Sequence, residues 1–444
     1  MKKKNLLAIH LNEFNYDFLK KGALKYKKKN ILNLLKLDKV KTFTKDKQQD
    51  KNLDPWVQSV SINTGKRSKR HKIFNLGDNM KNKITQIWDI LSKKGFTCSI
   101  WGTMNSTLRY NQNIKLYFPD PWNFTDKVYP KNLENLFKLP KYFSKNYTDA
   151  SLKKILLYSV LFFFSSIRHG CFKFYLKYFF LFLTLFFRKG IKNYLLFFIF
   201  DLISINIFYE KLKKNSTNFS LIFLNSLAHF QHNNWDEKQN EKYYFLFADL
   251  ICNYILKLSR YYKSVIVYNG FTQEKIKTEY ILRPHNPHKF LDNLGIKYKN
   301  IEQDMTNGAM VFFDRNSEFL RASNIIKNFK IFGANAFQVT KENNKCLFYK
   351  IQLRSFHKIT PELLLSINSS NIKKYIDYNH SRKFKFLKKK HSHNEITFFK
   401  SINFIKCTGK HRNNGILLKH NFIVSNNKRI ENHKIFDLIL RHFK

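Results

Sequence analysis

Hydrophobic positions along the chain fall into two rhythms. Leu6–Leu11 is a short apolar run that reads as a buried strand. It is followed by apolar residues at helical spacing, Phe18, Leu19, Ala23 and Leu24, then Ile31, Leu34 and Leu35. Residues 84–94 repeat the helical rhythm and stop at Gly95, directly behind Lys93 and Lys94, as a helix end should. The next strand is predicted over 97–101. Further on, SLIFLNS at 220–226 and KSVIVYNG at 263–270 are two more apolar strands, separated by a helical stretch over 243–258. Strands that are apolar throughout are covered on both faces, and their alternation with helices predicts an α/β fold with a mostly parallel sheet sandwiched by helices. Ligands of such sheets bind beyond the carboxyl ends of the strands. Asn12 with Glu13, the segment from Asn225 to His232, and Asn269 with Gly270 all sit there.

Between residues 151 and 215 the pattern changes. The chain reads ILLYSVLFFFSSI, FYLKYFFLFLTLFF and YLLFFIFDLISINIF, three strongly apolar stretches with basic linkers. None reaches the roughly 18 to 20 uninterrupted apolar residues of a spanning helix, and Lys177 and Asp201 interrupt two of them. Two readings follow. Either the stretches are two or three apolar helices packed on the main domain, or they form a surface that dips into the inner membrane leaflet, with Lys153, Lys154, Lys189 and Lys192 drawn to anionic lipid. This region divides the chain into 1–129, the first part of the α/β domain, 130–215, an apolar helical cap insertion, and 216–444, which is expected to complete the α/β domain.

Composition alters this picture less than the charge suggests. The 444 residues, 43% hydrophobic, suffice for one large core or two ordinary ones. Lys and Arg total 80 against 31 Asp and Glu, a net charge of +49. Such a surplus ordinarily points to a polyanion. Here it is carried by Lys, beside abundant Asn, Ile, Phe, Tyr and Leu, with only 13 Gly and 8 Pro. These are the residues of A- and T-rich codons, so nucleotide bias accounts for the charge. Arg, the bidentate reader of phosphates and bases, is not enriched, and nucleic acid is not an expected partner. Cys98, Cys171, Cys252, Cys346 and Cys407 are widely spaced with no CxxC pair, which points to a reducing cytoplasm and away from a cysteine-rich metal site. The apolar run behind MKKK is too short for a secretory signal, so a cytoplasmic protein is expected, membrane-associated if the apolar region touches lipid.

Two further segments belong with the polar clusters. LDPWVQSVSINTGKRSKRH at 53–71 reads as a loop feeding a helix, with Asp54 as cap and Pro55 at the first helical position. A helix N-terminus at a sheet edge suits an anion. CTGKHRNNGILL at 407–418 places His411 in a loop before another apolar strand. This order of segments resembles the alkaline phosphatase superfamily, nearest to its type I phosphodiesterase and nucleotide pyrophosphatase branch and similar also to sulfatases. INTGKRSKRHKI at 62–73 matches the family's TG segment. LNSLAH at 224–229 stands where PDxxGH belongs, VIVYNGF at 265–271 where SDHG belongs, and GKHRNNGILL where the last His belongs. The apolar insertion falls at the family's cap.

The resemblance implies a divergent metal-dependent hydrolase or transferase acting on a phosphate or sulfate ester. It implies a divalent metal, zinc or manganese, at one site rather than two. His229 and His411 with Asn225 would hold that ion, with His232 as a further ligand, and Glu13 with Asp54 would hold a second. The family's nucleophile falls nearest Pro55, so Asp54 is the catalytic candidate by position, with Ser59 and Ser61 as neighbours. Asn12, Gln58, Asn105 and Asn269 are expected to bind substrate, with Trp56, Trp101 and the PDPW at 119–122 as walls. An anionic small molecule or glycan, or a lipid-linked ester, is the expected partner. Asn225 and Asn269 stand in place of the family's aspartates, and Gly270 in place of a histidine. The alternative is therefore a catalytically degenerate protein that binds an anionic ligand without turnover. Plainer roles also fit: His229 and His232 as hydrogen-bonded structural histidines, Asp54 as a helix cap alone. His285, His288 and the KKKHSH run at 388–393 read as solvated.

Overall fold

The computed structural model describes residues 4–46, 53–82, 84–146, 150–189, 193–284, 287–303, 308–331, 334–352, 402–424 and 429–444. The chain divides into two compact units, Met1–Ile276 with Gly409–Lys444, and Lys277–Thr408.

The first unit is built on eight strands: β1 (Leu6–Leu11), β2 (Asp38–Phe43), β3 (Cys98–Trp101), β4 (Ile114–Phe118), β5 (Phe219–Leu224), β6 (Ser264–Tyr268), β7 (Asn414–His420) and β8 (Arg429–Glu431). Their order is β8-β2-β7-β6-β1-β5-β3-β4. β4, β3, β5, β1 and β6 run parallel to one another. β8 runs parallel to β2, and only β7 opposes the strands on either side of it. The continuous apolar runs are explained by two cores. Leu7, Ile9 and Leu11 of β1 and Val265 and Val267 of β6 enter one, which gathers the helices Asn193–Lys214 and Lys238–Ser259. Leu6, Ala8, Ile266 and Tyr268 enter the other, covered by Ile87–Lys93 and Ile435–His442. Each such Leu, Ile or Val side chain contributes about 1.5–3 kcal/mol by its burial. The helix expected over 84–94 is shorter because Gln86 and Asp89 cap its first turn reciprocally. It ends before Gly95, whose φ of 87° suits glycine.

The expected C-terminal part, 216–444, divides. β5 to β8 belong to the main sheet, whereas Lys277–Thr408 builds its own unit. There Asn300–Gln303, Gly308–Phe312, Phe337–Asn343 and Cys346–Ile351 form an antiparallel four-stranded sheet. Leu291, Val311, Ala322 and Leu347 lie in a separate core, so this stretch satisfies its apolar residues without the main sheet. His288 is exposed as expected, its Nδ1 3.1 Å from the Tyr298 hydroxyl. His285 and the 388–393 run lie outside the described residues.

Within 130–215 the helices differ. Asn193–Lys214 is a core helix, with Phe198, Leu202, Ile205 and Phe208 buried. Leu152–Ser166 and Phe172–Lys189 bury only one stripe each, through Phe162 and Ser165 on the first and Phe174, Tyr178 and Leu185 on the second. The helix runs on through Lys177, where counting apolar residues broke it. By length and composition Leu152–Arg188 is therefore long and apolar enough to cross a membrane, and only 22% of its most apolar window is buried.

Candidate metal centre

The register of β1 with β5 pairs Leu11 with Leu224, so Asn12 and Glu13 leave one strand beside Asn225 leaving the other. The Asn12 amide still donates to the Leu224 carbonyl at 2.9 Å. Glu13 then turns through a left-handed φ of 51°. The helix Ser226–Asn233 starts at the same edge and carries His229 and His232 one turn apart. His411 arrives on the strand Ile402–Arg412, which pairs with Thr272–Pro284, rather than on the expected loop. Asp54 stands at the start of the helix Pro55–Thr64.

Glu13 is the centre of the cluster. Its Oε2 lies 3.1 Å from His232 Nε2 and 3.1 Å from His411 Nε2. One ligand atom from each of the three residues falls within 4.8 Å of the others. Gln273 Nε2 donates to the same oxygen. Asn12 Nδ2 donates to Glu13 Oε1 at 2.9 Å and to Asn225 Oδ1 at 2.7 Å. Gln231 Nε2 donates to the Glu13 carbonyl at 3.0 Å. The carboxylate is thus held from several sides. Glu13 is fully buried, His411 is 11% exposed and His232 31%, so the cluster opens to solvent on the His232 side.

Electrostatics follow from this arrangement. Burial alone would raise the Glu13 carboxyl, but the charges of His411 and His232 outweigh it and hold the group well below the usual carboxylate range. Burial would lower His411, yet the charges of Glu13 and, more weakly, Asp54 raise it. Asp54 Oδ1 lies 4.0 Å from His411 Nδ1, beyond hydrogen-bonding distance, so it acts on the imidazole by its charge while the Leu53 backbone makes the hydrogen bond.

These donors fit a divalent ion. A carboxylate oxygen and two imidazole nitrogens are the ligand types of zinc and suit manganese. His411 Nε2 is buried and faces the Glu13 carboxylate at 3.1 Å, so an ion could take the place of the proton between them.

The grouping differs from the one the motif order implied. Glu13 joins His411 and His232, whereas His229 stands outside the set and stacks on Phe197 with ring centroids 3.5 Å apart and planes 8° apart. Burial, with the charge of His232, pushes His229 down to about 3 despite Glu13, so it is neutral. Asn225 touches the cluster through Asn12, and its backbone amide and that of Ser226 donate to Asp201 Oδ2 at 2.9 and 2.7 Å. Of the four expected substrate contacts, only Asn12 touches the triad. Gln58 is tied to Asp46 at 2.8 Å and Asn432 at 2.7 Å. Asn269 donates to the Phe14 carbonyl at 2.8 Å and accepts from the Ile416 amide at 2.7 Å. Asn105 accepts from the Gly77 amide and donates to the Trp56 and Asn75 carbonyls, knitting two loops together. Trp101 stacks on Phe118 at 4.2 Å in the core. On the helix behind Asp54, Ser59, Ser61 and Thr64 donate their hydroxyls to backbone carbonyls. Gln273, Gln231 and Asp201 are site residues that motif reasoning passed over. Gln273 follows three residues behind Gly270 in the polar segment after β6, and the signal for Asp201 is a lone acid in an apolar run.

Three solved structures show what this architecture is similar to. Human ectonucleotide pyrophosphatase/phosphodiesterase 5 matches over 99% of this chain and 94% of its own, at 10% identity and TM-score 0.42. Phosphonoacetate hydrolase from Sinorhizobium meliloti, in complex with phosphonoformate, matches over 99% and 96%, at 9% identity and TM-score 0.42. TAB5 alkaline phosphatase, a mutant with magnesium bound, matches over 99% and 97%, at 9% identity and TM-score 0.38. The chain's own fold is α/β, a mostly parallel eight-stranded sheet flanked by helices. No family model matches it, and no curated protein matches it in sequence.

Proposed function

We propose that the protein is a metal-dependent hydrolase or transferase acting on a phosphate or sulfate ester. The observation that carries this reading is the convergence of Glu13, His232 and His411 within 4.8 Å at the carboxyl edge of a mostly parallel sheet. A divalent ion held there, zinc or manganese and one rather than two, would polarise the ester and acidify a water. Glu13 and the two imidazoles bind it, while Gln273 and Asn12 orient the carboxylate. Asp54 is 27% exposed and 4.0 Å from His411, which makes it the carboxylate placed to take a proton from an attacking water. The hydroxyls of Ser59 and Thr64, bonded to backbone carbonyls, and of Ser61, held between the Val57 carbonyl and His71 Nε2, favour water over a side chain as nucleophile. Phe197, 39% exposed and stacked on His229, offers an apolar wall one helical turn from His232, which suits a glycan or lipid-linked ester. The free thiols, four of them buried, suit a reducing cytoplasm.

A second reading, binding without turnover, is favoured by Asn269, whose amide is engaged by the backbone on both sides where the resembled family carries an acid. The test is turnover of bis(p-nitrophenyl) phosphate, p-nitrophenyl phosphate and p-nitrophenyl sulfate by full-length protein reconstituted with zinc or manganese. Hydrolysis that is lost in Glu13→Gln and His232→Ala, and reduced in kcat by Asp54→Asn, supports the first reading. Bound metal with no turnover of any ester establishes the second.

A further inference from the structure

The two helices of Leu152–Arg188 carry apolar residues on both sides. One side packs on the domain. The other leaves Leu152, Leu156, Val160, Phe163 and Phe164 exposed at helical spacing on the first helix, and Phe172, Leu176, Phe179, Phe180, Leu183 and Phe187 on the second. Phe180 is 76% and Phe187 77% exposed. Scattered apolar residues need no partner, but two contiguous stripes mark a surface meant to be covered.

Charge decides what covers it. Lys153, Lys154, Arg168, Lys173, Lys177 and Arg188 punctuate the segment, which contains no Asp or Glu. A second copy would set these like charges against each other. An anionic bilayer satisfies both the stripes and the cations. Length decides the mode. The helix Leu152–Ser166 has 15 residues, about 22 Å, short of the roughly 30 Å hydrocarbon core, and Phe172–Lys189, with 18, keeps Phe174, Tyr178 and Leu185 buried in the main core rather than free for lipid. They do not continue as one rod. Gly170 breaks them at a φ of 100°, where an added Cβ would lie 2.8 Å from Glu210 Cγ. This elbow is pinned to the domain, with His169 Nε2 3.1 Å from the Asn132 carbonyl and Asn206 Nδ2 donating to Cys171 Sγ at 3.2 Å.

We propose that Leu152–Arg188 is a monotopic membrane arm, fixed at its elbow and lying in the headgroup region of an anionic leaflet with its exposed stripes in the acyl boundary. The proposal is independent of the metal centre. It is tested by sedimentation of the full chain with phosphatidylcholine vesicles, with and without phosphatidylglycerol. The expected result is binding to the anionic vesicles and little to phosphatidylcholine alone. Phe180→Ser with Phe187→Ser should weaken binding by on the order of a hundredfold, since each inserted ring is worth at least about tenfold. Lys153→Glu with Lys173→Glu should remove the preference for anionic lipid. Circular dichroism of each variant checks that the fold is kept. Failure of the wild type to bind anionic vesicles overturns the proposal. So does unchanged binding by the double Phe variant, which would assign binding to surface lysines alone. A wild-type dimer that the double Phe variant converts to monomer without any vesicle binding would make a second copy the occupant and also overturns it.

Discussion

Asp201 offers a prediction that joins the apolar helices to the site. Its carboxylate is buried and receives the amides of Asn225 and Ser226, thereby holding the start of the helix that carries His232. Burial is the largest influence on it and raises it from 3.8 to about 6, against the hydrogen bonds from Ser226 and Asn225. Because the folded value is above the unfolded one, folding favours the protonated form. This contribution is fully present below about pH 4 and is lost as pH rises through about 6. One pKa unit is worth about 1.4 kcal/mol, so the displacement amounts to about 3 kcal/mol. Asp201→Asn keeps an acceptor for both amides and cannot ionise. Urea unfolding of both proteins at several pH values between 4 and 8 should show the stability difference, wild type minus variant, becoming less favourable to wild type by about 3 kcal/mol as pH rises. A difference that is constant across this range would refute the claim that a buried, raised carboxyl sits at this helix start. Asp201→Ala should cost more, roughly 2–5 kcal/mol, because it orphans two amides.

Gly409→Ala would place a Cβ 2.7 Å from the Gln231 carbonyl and against the Gln273 side chain. It should cost about 1–3 kcal/mol in unfolding and weaken metal binding, because both glutamines hold Glu13. Glu13→Gln removes the charge that raises His411, so an NMR titration should show the His411 imidazole losing its proton at lower pH than in wild type. Four of the five cysteines are buried, and burial pushes Cys171 up to about 12. A thiol reagent should therefore label at most Cys407 in the native protein and all five in denaturant.

How much of this is legible in the sequence depends on how local the cause is. The strands β1, β5 and β6 are readable because both their faces are buried, and the polar residues behind them mark the edge where the cluster forms. Glu13 is one of those polar residues, whereas Asp54 and His411 come from the order of segments. The choice between His229 and His232 is not local. It depends on how the helix Ser226–Asn233 enters, which Asp201 governs from another helix, and on Phe197, which occupies one face of His229. Gln58, Asn105 and Asn269 look like site residues because they are polar and near the edge, yet their amides join segments remote in sequence. The separate unit Lys277–Thr408 has its own signal in FQVTKEN at 337–343, where alternation replaces the continuous apolar runs of the main sheet.

Metal content of the purified full-length protein, measured by elemental analysis after reconstitution with zinc or manganese, addresses the centre directly. Wild type should hold close to one equivalent. Glu13→Gln, His232→Ala and His411→Ala should each lose it, and His229→Ala, outside the triad, should retain it. Metal-free wild type would contradict the proposed centre. So would metal that survives His232→Ala and disappears in His229→Ala.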